Sequence, residues 1–217
     1  MRFLTANDSL TVTFGCLRFT GSAVKADPDT IMFAAITAGP ATTFKTKIGL
    51  RNDATDHVAD TQGVVAFRER QLREVVMTIG RKAFAHFGAR TAAGYLKILP
   101  RAPSEVVILP LADRRKVVMA IVDALGEKGL PADLAQLGKD LAAAQKNRDA
   151  ADADVVTAEI AVTKARTAEA EARDAVLVAY RTLHAQLTLK FPNDKPRVES
   201  YFRSPVVKKA KVAVVGA

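Results

Sequence analysis

The sequence predicts a mainly α-helical protein, a long helical hairpin or coiled coil with a small N-terminal antiparallel β-meander, which makes the fold class α+β. A seven-residue repeat of apolar and small side chains extends through residues 131–191. No glycine occurs between Lys139 and Val215, and alanine, the best helix former, is frequent there. Residues 1–53 instead show the alternation of apolar and polar side chains that is typical of strands.

The region 131–191 is predicted to be one helix, because two series of core positions repeat every seven residues through it. At about 1.5 Å per residue, this helix is roughly 85 Å long and needs a partner along its length. The small second series lets a partner helix approach closely. The first series is Leu134, Leu141, Val155, Val162, Val176 and Leu183, with Arg148 and Glu169 in its two vacant places, and the second is Leu137, Ala144, Ala151, Ala158, Ala165, Ala172 and Ala179.

The middle of this helix is predicted to lack a partner within the chain. If the turn at 126–131 makes a helical hairpin, the preceding helices cover its two ends and a proline-broken segment lies opposite 147–167. We therefore expect a second copy to cover this part, in a homodimer or a larger assembly. Arg148 of one copy then either pairs with Glu169 of the other, or both side chains turn to water. The predicted self-association residues are Arg148, Ala151, Val155, Ala158, Val162, Ala165 and Glu169.

Three stretches of the N-terminal region predict strands. Side chains alternate in 10–14 and again in 44–48, whereas 31–36 is continuously apolar, as expected for a strand buried on both faces. The turn residues Asp27-Pro28-Asp29 and Gly39-Pro40 separate these stretches. Three strands alone are only marginally stable, so we expect a helix or another subunit to cover them.

The next part of the chain is predicted to form two helices with an irregular connection. The first helix begins near Asp56 or Gly63 and ends near Phe87, and the second covers 111–125. Between them, residues 91–110 contain three prolines, which interrupt a helix. The predicted divisions of the chain are a β-rich region at 1–53, a helical pair at 54–130, the long helix at 131–191 and a basic tail at 192–217.

The basic tail is predicted to begin with one helical turn at 197–202, anchored by Tyr201 and Phe202. Residues 206–215 are either a loose basic tail or an added strand, and their five valines favour the strand. A strand at a chain end can pair with the sheet edge of a neighbour. Strand exchange is therefore predicted for Val206, Val207, Val212 and Val214.

The net charge of +9 raises nucleic-acid binding as the alternative function. Residues 63–131 hold twelve basic against six acidic side chains, and 191–217 hold six against two. Aromatic residues are not interleaved with the basic ones, so bases would find few side chains to stack on. The contact residues of this alternative are Arg68, Arg70, Arg73, Arg81, Lys82, Arg114, Arg115, Lys116, Lys208, Lys209 and Lys211.

No motif in the sequence predicts catalysis, a cofactor or a metal site. The three histidines and Cys16 share no metal-ligand spacing, and the longest uncharged stretch, 30–44, is interrupted by Gly39-Pro40, so we expect no membrane crossing. The single cysteine fits a reducing compartment or indifference to redox, and with no secretory signal at the N-terminus we expect a cytoplasmic protein. The sequence therefore predicts a non-enzymatic structural or assembly subunit whose partner is itself.

Overall fold

The structure, a computed structural model, describes residues 4–203, and these residues form helices and connecting turns without a β-strand. A single 3₁₀ turn, Ile31–Phe33, precedes the first of two long helices. The helices are α1 (Leu10–Ala26), α2 (Ala34–Phe87), α3 (Ala93–Ile98), α4 (Pro103–Ile108), α5 (Leu111–Leu125), α6 (Ala132–Lys190) and α7 (Lys195–Ser200).

The long helix predicted at 131–191 is confirmed as α6, which has 59 residues. Its apolar heptad positions Leu134, Leu141 and Leu183 are fully buried. Arg148 and Glu169, which occupy the vacant places of the same series, are buried as well. The heptad pattern therefore identified the buried stripe of α6, including its two charged members.

The helix predicted to begin near Asp56 or Gly63 begins at Ala34 instead, so that prediction is wrong by several turns. Its 54 residues include Gly39 and Pro40, which the sequence suggested as a turn. Pro40 lies in the second turn of α2, where it removes one backbone hydrogen bond but leaves the following turns intact. The stretch 31–36, predicted as a buried strand, forms the 3₁₀ turn and the start of α2.

The predicted N-terminal β-meander is absent from the described residues, and 10–14 belongs to α1. Ser9 caps this helix, since its Oγ accepts a hydrogen bond from the Val12 backbone N–H at 3.3 Å. The buried positions have the three- and four-residue spacing of a helix rather than the two-residue spacing of a strand. They are Thr13, Cys16, Leu17, Thr20 and Val24.

The chain forms two compact units, and the first contains residues 1–53 and 162–217. In its described part, α1, the start of α2 and the end of α6 share one apolar core around Phe44, Tyr180 and Leu183. The end of α6 therefore packs on helices and not on a sheet. Tyr201 and Phe202 are buried in the same core, as predicted for the turn at 197–202.

The second unit contains residues 54–161. Its core joins the end of α2, the beginning of α6 and α5, which has the bounds that the sequence predicted. The connection 91–110 is less irregular than predicted, because it contains the short helices α3 and α4. Gly138 allows α6 to approach α5 closely, since a Cβ there would lie 2.8 Å from the Cβ of Leu125.

Candidate interaction surfaces

A buried layer of charged side chains crosses the core of the second unit. The Glu69 carboxylate of α2 accepts hydrogen bonds from Arg114 Nη1 at 2.6 Å and Nη2 at 2.8 Å, and from Arg148 Nε at 3.1 Å. Arg73 Nε, one turn along α2, adds another at 3.0 Å. Burial raises the pKa of Glu69, but these arginines outweigh it and hold the pKa below its ordinary value. The layer therefore keeps Glu69 ionised and fixes the register of α2, α5 and α6.

Arg148 and Glu169, predicted to pair between two copies, both have partners in their own chain. In the second unit Arg148 pairs with Glu69 and also contacts Asp152. In the first unit the Glu169 carboxylate lies 2.9 Å from Arg51 Nη1. These partners compensate both charges without a second chain. We call the seven predicted self-association residues of α6 the seam.

The prediction that 147–167 lacks a partner is wrong, because α2 begins at Ala34 and supplies the missing helix. Only 4% of Ala151 and 2% of Ala158 are exposed in the second unit, and only 8% of Val162 in the first. Val155 and Ala165 are half-buried. Ala151, Ala158 and Val162 therefore offer almost no surface to a second copy.

The sequence contained a signal for the missing helix in the seven-residue series of α2. Phe44, Leu72 and Ile79 belong to this series and are fully buried. The other members of the series are polar or small. The repeat of α2 is therefore harder to recognise in the sequence than the repeat of α6. The full series is Thr37, Phe44, Arg51, Val58, Val65, Leu72 and Ile79.

One side of the α2/α6 pair in the second unit remains open. There the two helices border a groove of about 430 Å³, which we call the open face. No residue of α5 lines it, since α5 meets the pair elsewhere, at Glu69 and Gly138. The lining residues are Arg68, Gln71, Glu74, Val75, Thr78, Leu137, Asp140, Ala143, Ala144 and Asn147.

The open face combines apolar side chains with two unpaired charges. Val64 and Phe67, which are 47% and 55% exposed, lie seven residues before Gln71 and Glu74 and extend the face along α2. Arg68 Nη1 donates to Gln71 Oε1 at 2.8 Å, but it forms no ion pair with a described residue. Asp140 likewise accepts only from the Gln136 side chain, at 2.9 Å, within the described part of the chain. The open face therefore has one uncompensated charge of each sign.

Carboxylates pair with most of the described basic side chains on which the nucleic-acid alternative depends. Five of the eight that lie in the described residues form ion pairs with carboxylates of the second unit. Arg81 Nη2 donates to Thr78 Oγ1 at 3.1 Å, and Lys116 is exposed. Lys208, Lys209 and Lys211, like the valines of the predicted strand exchange, lie outside the described residues. The five paired residues are Arg70 with Glu74, Arg73 and Arg114 with Glu69, Lys82 with Asp133, and Arg115 with Asp149.

The described residues contain no group of three or more His, Cys, Asp or Glu side chains placed to hold a metal ion. Cys16 is buried in the first unit, and burial raises the pKa of its thiol. Within 4–203, no helix combines the length and the apolar character that a membrane crossing requires.

Comparisons with known proteins add no family to these observations. Neither a protein-family model, nor a curated protein, nor a solved structure matches this chain. Function must therefore be argued from the surfaces themselves.

Proposed function

We propose that this protein is a non-enzymatic structural or assembly subunit that associates with a second copy through the open face of its second unit. This is the class of function that the sequence predicts. The proposed contact is the accessible open face and not the buried seam of α6. The observation that carries it is the open face, an uncovered side of a helix pair with exposed apolar residues and one unpaired charge of each sign.

The composition of the open face suits helix packing. Ala143 and Ala144 leave space on α6, so a helix of another copy can approach to the short end of the roughly 8–10 Å range of interaxial distances. Val75 and Leu137 line the floor, and Phe67 adds a large aromatic side chain beside it. Aromatic and aliphatic residues of this kind supply most of the binding energy in protein interfaces.

The two unpaired charges favour a second copy over an unrelated partner. A two-fold interface brings the same surface of both copies together, so that residue i meets residue j and residue j meets residue i. Arg68 lies on α2 and Asp140 lies on α6. In such a pair Arg68 of each copy faces Asp140 of the other, so the dimer contains two Arg68–Asp140 ion pairs and all four charges are compensated. The face is thus complementary to itself.

The proposal is tested by placing a bulky charge on the open face without disturbing the fold. Ala143 lines the groove and is exposed, so Ala143→Arg should leave the helix content unchanged. We expect the wild type to elute as a dimer or larger assembly in size-exclusion chromatography with light scattering, and Ala143→Arg to elute as a monomer. An arginine at this position fills the space left by the alanine and blocks the approach of the second helix.

The matched control is Ala153→Arg, which changes an exposed alanine of the same helix outside the groove. Its mass should equal that of the wild type. A wild-type monomer at high concentration, or equal masses for both variants, would exclude the open face as the contact.

A further inference from the structure

A second concave site lies at the far end of α2 in the second unit, away from the lining of the open face. It is a pocket of about 150 Å³ between α2, α3 and the start of α4. Its lining combines two arginines and two hydroxyl groups with the apolar side chains Met77 and Phe84. The polar residues are Arg81, Arg90, Tyr95 and Ser104.

Two glycines allow the walls of this pocket to come together. A Cβ at Gly80 would lie 2.4 Å from Pro103 Cγ, so only glycine lets the start of α4 rest on α2. A Cβ at Gly94 would lie 2.3 Å from Phe87 Cε1, so glycine is also required where α3 packs on the end of α2. The pocket is therefore a consequence of close packing, not a gap between loosely placed loops.

The two arginines of this pocket have no acidic partner among the described residues. Neither Arg81 nor Arg90 forms an ion pair with a described carboxylate. Arg90 is placed by Phe84, with its Cζ 6.0 Å from the ring centroid. Two guanidinium groups beside one small pocket create a local positive potential that an anion would neutralise.

The hydroxyl groups supply further donors. Neither the Tyr95 hydroxyl nor the Ser104 hydroxyl forms a hydrogen bond with a described residue. Tyr95 as a whole is only 3% exposed, but its hydroxyl is not among the buried atoms without a partner, so it opens to the pocket and can take a hydrogen-bond partner there. A ligand oxygen in the pocket would provide one.

The volume and the charge decide the class of ligand. Pockets for drug-sized molecules hold about 300–1,000 Å³, so this pocket takes a small ion or one end of a larger molecule. A phosphate monoester carries about −1.5 to −2 charge at pH 7 and three strong acceptor oxygens, which matches two arginines and two hydroxyls better than a single carboxylate does. We propose that this pocket binds a phosphate group, either free phosphate or a phosphate monoester whose apolar part rests on Met77 and Phe84.

Isothermal titration of the full chain with inorganic phosphate, phenyl phosphate and benzoate tests this assignment. We expect both phosphates to bind and benzoate to bind at least about tenfold more weakly, because it brings less charge to the two arginines. Tighter binding of phenyl phosphate than of inorganic phosphate identifies a monoester, and equal binding identifies free phosphate. Absence of phosphate binding, or equal binding of benzoate and phenyl phosphate, would overturn the proposal.

Variants locate the binding in the pocket. Arg81 and Arg90 are exposed, so Arg81→Gln and Arg90→Gln should keep the fold, and each should weaken phosphate binding about tenfold or more. Arg70→Gln is the matched control, since Arg70 lies on the same helix and pairs with Glu74. Its affinity should equal that of the wild type. Equal losses in all three variants would show that phosphate responds to overall charge and not to this pocket.

Discussion

In the second unit, Glu69 forms buried ion pairs that could not be predicted from the sequence. Glu69 bonds to Arg114 and Arg148, whose side chains are only 9% exposed. A buried charge is tolerated when it is paired, and the loss of one partner leaves the others uncompensated. Glu69 lies on α2 in a stretch that looked like an exposed, arginine-rich face, so its role depends on tertiary contacts with α5 and α6.

Glu69→Gln should destabilise the protein by about 3–5 kcal/mol, because it leaves the buried guanidinium group of Arg114 without a counter-charge and that of Arg148 with Asp152 alone. Urea unfolding followed by circular dichroism measures this change. Glu74→Gln is the control, since the Arg70–Glu74 pair is exposed and worth less than about 1 kcal/mol. Similar, small losses in the two variants would show that the buried layer does not hold the helices together.

Asp27 makes the stability of the first unit depend on pH. A hydrogen bond from the Tyr201 hydroxyl, and then one from Arg197, lowers the pKa of Asp27 from its ordinary value of 3.8 to about 2. Because the folded-state pKa is the lower one, the unfolded chain binds more protons between these values, and the contribution of Asp27 to stability is lost as pH falls through them. It is fully present above the ordinary value.

We therefore expect the free energy of unfolding of the wild type to fall between pH 4 and pH 2 by more than that of Asp27→Asn. Above pH 4 the variant should be the less stable of the two. The difference between their free energies of unfolding should shrink as the pH falls and Asp27 of the wild type becomes protonated. Urea titrations across the pH series measure both curves. Parallel curves would show that Asp27 has no favourable partner in the folded protein.

Among the helices, α5 and α6 could be predicted from the sequence because the residues with helical apolar spacing are also the ones that are buried in the structure. In α6, an alanine-rich stretch without glycine after Gly138 and with a seven-residue repeat has few alternatives to one long helix. The N-terminal elements could not be predicted in this way. The alternation in 10–14 fits a strand, and the helical pattern of α1 depends on the buried Thr13 and Thr20, which look like exposed residues in the sequence.

Both threonines are tolerated inside the first unit because their hydroxyls have partners. Thr13 Oγ1 donates to the Ser9 carbonyl at 3.1 Å, and Thr20 Oγ1 donates to the Tyr180 hydroxyl at 3.4 Å. The second of these partners lies far along the chain. The local sequence pattern contains no information on this long-range contact. The two-residue alternation in 10–14 therefore predicted a strand where a helix forms.

The seam gives a prediction at the level of the helix pair. Ala158→Leu should lower the free energy of unfolding by about 1–3 kcal/mol, because the added side chain overpacks a position that its own chain already covers. Ala153→Leu, at an exposed position of the same helix, should have little effect. Urea unfolding compares the two. If Ala158→Leu left the stability unchanged but weakened association, the contact between copies would lie at the seam and not at the open face.

At the scale of the whole molecule, self-association remains the proposed function, but its expected contact is now the open face. The sequence predicted that the middle of α6 needs a helix from a second chain, whereas in the structure α2 of the same chain is that partner. What remains uncovered is the open face of the second unit, which emerges only when α2, α5 and α6 are placed together. Neither this face nor the pocket with Arg81 and Arg90 could be found from the sequence, because both depend on which side of a helix its neighbours leave free.

The charge exchange between Arg68 and Asp140 tests self-association through the open face most directly. Arg68→Asp places two acids opposite each other across a two-fold interface, and Asp140→Arg places two arginines there, so each variant alone should sediment as a monomer. In an equimolar mixture the aspartate introduced into one variant faces the arginine introduced into the other, and the native Asp140 of the first faces the native Arg68 of the second. Sedimentation equilibrium of this mixture should recover the association of the wild type, whereas a mixture that stays monomeric, or single variants that still associate, would contradict the open face as the contact.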